Sequence, residues 1–317
     1  MTTKTIAIMG ANSHLAKSLI ECFSRSNRHN DLRLFTRRAK LTCDFLASII
    51  PSNNHGQTWQ IIEGYETFPT GQYDAIINCI GIGPLSKHQG DYAQYFTVYE
   101  YFDNMAIAYL KDHPAARFVS LGSGAVYGSD FKAPANEFSI NTLIVNAVPP
   151  ENYYSLSRLY AEAKHRAHAQ LAITDFRIFS FFSRFHDPED AYLIDQIITA
   201  IRNKTPLLTN HGDFYRDYLH PTDLYNAIES VIFSKQAING ALDLCSTKPI
   251  LKSEMLAFFT EHYGLGVSYT DQVTDQSATG HKNHYFSTYS AANQLNFTSS
   301  FSSKYTIAEA SKYLLSA

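Results

Sequence analysis

Thr5-Ile6-Ala7-Ile8-Met9-Gly10-Ala11-Asn12-Ser13-His14-Leu15-Ala16 opens the chain with a short apolar run, a glycine turn and the start of an amphipathic stretch. The order reads strand, tight turn, helix. A turn of this kind leaves free backbone N–H groups at a helix N-terminus, which suit an anionic ligand placed at the end of the strand. A strict pattern would carry three glycines spaced three apart, but here Gly10 stands alone and Ser13 and Ala16 fill the other two places. The position of the turn, with a strand before it and a helix after it, is what carries the reading.

Outward from this unit the pattern repeats. Leu32–Phe35, Trp59–Ile62, Ala75–Cys79, Arg117–Leu121 and Asp175–Phe179 read as further strands. Helical stretches run over Asn12–Phe23, Asp91–Lys111 and Tyr154–Leu171. Apolar runs alternating with amphipathic segments predict an α/β protein with a parallel sheet and crossover helices. Beyond residue 182 the pattern loosens into helices and short strands, with no repeat and no obvious linker. The aromatics Tyr95, Phe96, Tyr99, Phe102 and Tyr109 recur near helical spacing, which fits core packing or a subunit interface.

Two motifs carry chemistry. Tyr154-Ser155-Leu156-Ser157-Arg158, with Glu162 one turn on, places a phenol and a guanidinium four apart on one helical face. Ser120-Leu121-Gly122-Ser123-Gly124-Ala125-Val126-Tyr127-Gly128 puts a hydroxyl at the end of a strand. Carbonyl reduction needs a proton donor at oxygen while hydride reaches carbon, and a tyrosine beside a fixed cation can serve. Together with the Gly10 turn, these residues resemble the active-site parts of the extended short-chain dehydrogenase/reductase family. That family contains the nucleoside-diphosphate-sugar epimerases, dehydratases and ketoreductases.

The resemblance implies a Rossmann-type doubly wound parallel sheet with a smaller, interleaved C-terminal substrate lobe. The expected division is a dinucleotide-binding domain over 1–181, with a return segment near 215–245, and a mainly substrate-binding lobe over 182–317. It implies Tyr154 as proton donor, Ser123 as the hydroxyl that polarises the substrate oxygen, and Arg158 in the place of the family lysine. Arginine keeps the charge but is bulkier, planar and never gives up its proton. Gly10, Ala11, Asn12, Ser13, His14 and Leu15, then Thr36, Arg37 and Arg38, then Cys79, Ile80, Gly81 and Phe179 are the residues expected at the cofactor. Strand two ends in Thr36-Arg37-Arg38, where an NAD enzyme usually offers an acid. Guanidinium forks there favour NADP, with NAD as the alternative.

Gly124 and Ala125 replace the acidic pair that the family's dehydratases carry, which argues against elimination of water. Phe176–Arg184 and Gly212–Leu224 echo two further family segments. By resemblance Ser180 and Arg216 face the substrate, Arg216 at its diphosphate. Asp223 is expected to cap the helix that follows, and Asn104 to be structural. Asn293-Gln294-Leu295-Asn296-Phe297 and Tyr305–Glu309 echo the closing segments.

The composition excludes other classes. Net charge is −3 and hydrophobic content 45%, so there is no basic footprint for nucleic acid and no membrane patch. No signal-peptide core or spanning segment is present, and a cytoplasmic location is expected. The four cysteines are far apart and read as free buried thiols. The thirteen histidines form no metal pattern; His165 and His168 read as a solvated helix face, and His281 and His284 lie in a polar stretch. The function read from these residues is NADP-dependent reduction of a keto group on a nucleoside-diphosphate sugar or similar polar carbonyl. An NAD(P)-dependent nucleotide-sugar epimerase is one alternative, and a catalytically weak NAD(P)-binding protein another. A homodimer through the 92–110 helix and the Tyr154 helix is expected by resemblance.

Overall fold

Ile6 and Ile8 pack to one side of the first strand and Ala7 and Met9 to the other, and all four are fully buried. A strand covered on both faces belongs in the middle of a sheet. The computed structural model describes residues 3–49, 57–82, 90–187, 192–271, 282–289 and 295–316. Its elements run β1 (Lys4–Met9), α1 (His14–Arg25), β2 (Asn30–Thr36), α2 (Ala39–Ile49), β3 (Thr58–Glu63), β4 (Ala75–Asn78), α3 (Gln94–Asp112), β5 (Arg117–Ser123), α4 (Tyr153–Ala167) and β6 (Ile173–Ile178). There follow β7 (Ser180–Phe181), α5 (Leu193–Asn203), β8 (Leu207–Thr209), β9 (Tyr215–Arg216), β10 (Tyr218–Leu219) and α6 (Pro221–Ile232). The chain closes with β11 (Gly240–Leu244), β12 (Ile250–Leu251), α7 (Lys252–Tyr263), β13 (Val267–Tyr269), β14 (His284–Tyr285) and α8 (Ser303–Leu315).

Seven strands form one parallel sheet in the order β11-β6-β5-β4-β1-β2-β3. The expected doubly wound α/β fold is therefore present. The alternation set in β1 continues across it. Leu32, Leu34, Ile77, Val119, Leu121, Phe176 and Ile178 join Ile6 and Ile8 on the face covered by α1 and α6. Phe35, Ile76, Phe118 and Ile173 join Ala7 and Met9 under α3. β4 lies beside β1 on the side opposite β2, so the winding reverses between them. In open α/β sheets a ligand crevice forms at the carboxyl ends of such a strand pair. A separate core, with Ile197, Ile198, Phe259 and Ile307 at its centre, joins α5, α7 and α8.

Four expectations are corrected. The helix read to Leu171 stops at Ala167, where the Asn239 amide lies within hydrogen-bond reach of the His165, His168 and Leu171 carbonyls. Asp223 does not cap α6: the His220 ring takes the Thr222 N–H, and Asp223 receives the Ser300 and Phe301 N–H groups at 2.9 and 3.1 Å. His165 is not on a solvated face but fully buried, because Arg158, Ala161, Glu162 and His165 form the inward stripe of α4. Cys79 is buried as expected and all four thiols are free, but Cys43 is exposed. Asn293, Gln294 and His281 lie outside the described residues. Among the described residues, no helix is long and apolar enough to cross a membrane and no group of His, Cys, Asp and Glu could hold a metal ion.

Candidate active site

Gly10 follows β1 with φ of +75°, a backbone conformation that favours glycine. A Cβ there would also lie 2.9 Å from Ile80 Cγ1 and 3.2 Å from the Cys79 carbonyl. The ends of β1 and β4 thus close on each other, bringing Gly10, Cys79 and Ile80 together at the crevice. The Gly10 N–H donates to the Tyr65 hydroxyl at 3.0 Å, which pins the turn. Ser13 is the N-cap of α1, and its Oγ takes the Ala16 N–H at 3.2 Å. A cap of this kind is worth about 1 kcal/mol. The His14 and Leu15 amides keep no acceptor among the described residues.

The other residues expected at the cofactor divide. The Asn12 amide donates to Thr36 Oγ1 at 2.7 Å and to the Arg38 carbonyl, and its oxygen accepts from Thr42. Asn12 and Thr36 therefore tie the two turns to each other. The His14 side chain is half-buried, edge-on to Phe181 and hydrogen-bonded to Ser183 at 2.7 Å, and desolvation, His186 and Lys17 hold its pKa down to about 3. Arg37 and Arg38 are exposed at the end of β2. Gly81 is exposed, and beyond it the Ile82 N–H donates to the Tyr99 hydroxyl at 2.9 Å.

Ser123 ends β5 and caps the short helical turn Gly124–Tyr127, accepting the Ala125 N–H at 3.1 Å. Its Oγ lies 3.3 Å from the Tyr285 hydroxyl. Phe179 packs edge-on against Phe131 and Tyr285, and its ring covers Gly124. Tyr154, on the first turn of α4, packs against Tyr95 and Tyr99 of α3, with ring centres 5.5 and 6.5 Å away. The Arg158 guanidinium sits 3.5 Å from the centre of the Tyr99 ring and 5.5 Å from that of Tyr154. It is buried, and its Nε has no partner among the described residues. Burial opposes its charge, but Tyr99, Tyr154 and Asp103 outweigh that and hold its pKa above the ordinary arginine value. Ser123 thus meets Tyr285 at the end of β5, and Tyr154 meets Arg158 on the face of α4 turned to α3.

Ionic pairs set α4 in place. Glu162 takes two hydrogen bonds from Arg177 of β6, at 2.9 and 2.6 Å, and Arg177 also donates to the Tyr127 hydroxyl at 2.8 Å. Tyr127 donates in turn to Asp243 of β11. His165 bonds Asp175 at 2.8 Å and faces Asp103 at 3.6 Å. Burial pushes the Asp103 carboxyl up, while His165, Lys164 and Arg158 oppose the shift. Asn104 accepts from Lys164 on the outer side of the α3–α4 contact, the structural place expected of it.

Two further residues singled out in the sequence lie in later segments. Ser180 pairs with Tyr218 in β7 and β10. Arg216 of β9 donates to the Tyr215 and Lys282 carbonyls at 2.8 and 2.7 Å and stacks on Phe214 at 4.0 Å. Sequence reasoning did not find Tyr65, Tyr285 or Lys282. Tyr99 was visible only as one of several helical aromatics, and nothing local marks the other three.

These residues fit a dinucleotide. The Gly10 turn leaves no room for a side chain, and among the described residues two N-terminal amides of α1 have no acceptor and a buried Arg158 donor beside Tyr154 has no partner. A family model described as "NAD dependent epimerase/dehydratase family" matches residues 6–241 of 317, so the chain belongs to that family of enzymes. Among curated proteins no sequence matches. Solved structures share the fold over nearly the whole chain. A UDP-N-acetylglucosamine 4-epimerase from Methanobrevibacter ruminantium M1, in complex with UDP-N-acetylmuramic acid, is 16% identical with a TM-score of 0.79, covering 99% of both chains. A UDP-glucuronic acid 4-epimerase from Bacillus cereus, with UDP-glucuronic acid and NAD, is 15% identical with a TM-score of 0.76, covering 98% of both. A UDP-glucose 4-epimerase from Bifidobacterium longum, with NAD+ and UDP, is 14% identical with a TM-score of 0.73, covering 98% of this chain and 97% of its own.

Proposed function

We propose that this member of the NAD dependent epimerase/dehydratase family is a nucleotide-sugar epimerase that inverts one ring carbon by oxidising and re-reducing it. The observation that carries the reading is the pairing of Tyr154 with Arg158 on α4, with Ser123 at the end of β5 next to a Gly124–Ala125 pair that holds no acid. The relatives named above support epimerisation rather than the reduction expected from the sequence, and NAD rather than NADP.

A bound nicotinamide supplies the hydride chemistry. Tyr154 enters as the phenolate facing the Arg158 charge, takes the proton from the sugar hydroxyl, holds it as the phenol while the keto sugar turns, and returns it to the re-forming hydroxyl. Ser123 holds the sugar oxygen. Arg216 binds the diphosphate through its fork, from a substrate lobe that we assign to 182–317. The Gly10–Leu15 turn, Thr36–Arg38, Cys79–Gly81 and Phe179 form the cofactor side.

Reductase activity with NADPH is the second reading, favoured by the exposed Arg37 and Arg38 at the end of β2. Titration of the nucleotide-stripped protein with NADH and NADPH, followed by incubation with NAD and UDP-sugars, separates the two. Conversion of a UDP-sugar to its 4-epimer without net cofactor turnover is the expected result. Selective NADPH binding that Arg37→Ala and Arg38→Ala abolish would favour the reductase. Failure to bind either cofactor would overturn both.

A further inference from the structure

Tyr99 is 3% exposed and stands on the face of α3 turned to α4. Two parts of its side chain meet two different parts of the site. The Arg158 guanidinium lies 3.5 Å from the centre of its ring, and the same guanidinium is 5.5 Å from the centre of the Tyr154 ring. The Tyr99 hydroxyl accepts the Ile82 N–H at 2.9 Å. Ile82 lies on the segment that leaves β4, just beyond Ile80, whose side chain closes on Gly10. One side chain thus spans from the Tyr154–Arg158 pair to the segment expected at the cofactor.

The chemistry of Tyr99 suits a spacer rather than a second acid. Burial pushes its phenol above the ordinary value, against the pull of Arg158 and of the Ile82 N–H. An uncharged ring offers a guanidinium a face to lie on, and its hydroxyl remains available to a backbone N–H. The buried residue one turn on repeats the arrangement at second hand. Asp103 accepts from the Asn78 amide at 3.4 Å, and Asn78 accepts the Ile80 N–H at 3.0 Å. The Asp103 carboxylate also faces His165 at 3.6 Å and Lys164 at 3.9 Å. The inward stripe of α3 therefore meets the end of β4 on one side and α4 on the other. Among the described residues, Tyr99 is the member of that stripe that meets both the Ile82 amide and Arg158 directly.

We propose that Tyr99 is a positioning residue that serves both halves of the reaction through separate atoms: its hydroxyl holds the β4-end segment for the dinucleotide, and its ring face holds Arg158 beside Tyr154. This rests on the epimerase reading above and adds a residue to it.

The test is calorimetric binding of NAD together with 4-epimerisation of UDP-glucose and UDP-N-acetylglucosamine. It is run on the full-length protein and its Tyr99→Phe and Tyr99→Met variants. Tyr99→Phe keeps the ring and loses the hydroxyl. It should weaken NAD binding about three- to tenfold, the worth of one hydrogen bond, and lower kcat by about twofold at most. Tyr99→Met loses both, and should weaken NAD as much while lowering kcat about tenfold further, the worth of a desolvated cation–ring contact. Losses of NAD affinity and kcat that rise in the same proportion in both variants show general packing and overturn the inference. Equal kcat in the two variants overturns it as well. So does unchanged NAD affinity in Tyr99→Phe, an arm that decides even if Tyr99→Met does not fold. A parent that binds NAD but converts neither sugar sinks the epimerase reading and leaves the NAD arm to judge the hydroxyl. A parent that binds no NAD overturns both.

Discussion

The Phe179 ring lies over the α-carbon of Gly124, so that a Cβ built at the glycine would fall 2.4 Å from two of its carbons. Phe179 is itself buried against Phe131 and Tyr285 and has no free direction in which to swing. The absence of an acid at this position is therefore enforced by packing. Gly124→Ala should cost about 1–3 kcal/mol of stability, the usual range for overpacking. Thermal unfolding and turnover measured together check this. A variant that folds and works like the parent would show that Phe179 yields, and would return the dehydratase reading to consideration.

The Arg158 guanidinium lies 3.5 Å from the centre of the Tyr99 ring and 5.5 Å from that of Tyr154. An ammonium has no plane to stack and a single point of charge. Arg158→Lys is expected to lower kcat by about tenfold or more rather than raise it, because the α3 aromatics have been shaped around a guanidinium. A large gain in kcat would mean that the arginine is a disabling change and that the parent is a weak catalyst. Tyr154→Phe should lose about 10²- to 10⁴-fold in turnover with cofactor binding intact.

Arg177 and Glu162 form a doubly hydrogen-bonded pair at the back of α4. Removing one partner leaves the other charge buried. Arg177→Met should cost about 3–5 kcal/mol in urea unfolding, whereas the double change with Glu162→Leu should recover much of that loss. Additive losses would show that the pair is solvated rather than buried.

His14 gives the acid limb of stability a definite sign. Its folded pKa is lowered from 6.5 to about 3, chiefly by burial. The unfolded chain therefore binds the proton first as pH falls. Stability from this group is complete above pH 6.5 and declines as the pH drops toward 3. The melting temperature should fall by roughly a few degrees between pH 7 and pH 5, and His14→Gln should flatten that slope. An unchanged slope in the variant would assign the acid sensitivity to other groups.

Most of the sheet was legible from the chain because a strand buried on both faces writes a continuous apolar run. Thr5–Met9, Ala75–Cys79 and Arg117–Leu121 read as strands, and β1, β4 and β5 lie there within one or two residues at each end. The catalytic candidates were legible because Tyr154 and Arg158 need only one helical turn to meet, and Ser123 needs only the end of its strand. His165 misled for the converse reason. Its neighbours along the chain are polar and charged, and only the packing of α4 on α3 and β6 shows that its face turns inward. Asp223 misled because its partners, Ser300 and Phe301, lie 77 and 78 residues away.

The sequence by itself determined the α/β alternation, the glycine turn after β1 and the family to which the chain belongs, since all three are written in local spacing. Tertiary structure alone decided what surrounds that chemistry. Tyr285 meets Ser123 across 162 residues of chain, Lys282 comes with it, and Tyr99 fits itself to Arg158 from another helix. The physical reason is that burial and close contact between distant segments are set by how layers pack. No period or motif along the chain encodes that directly.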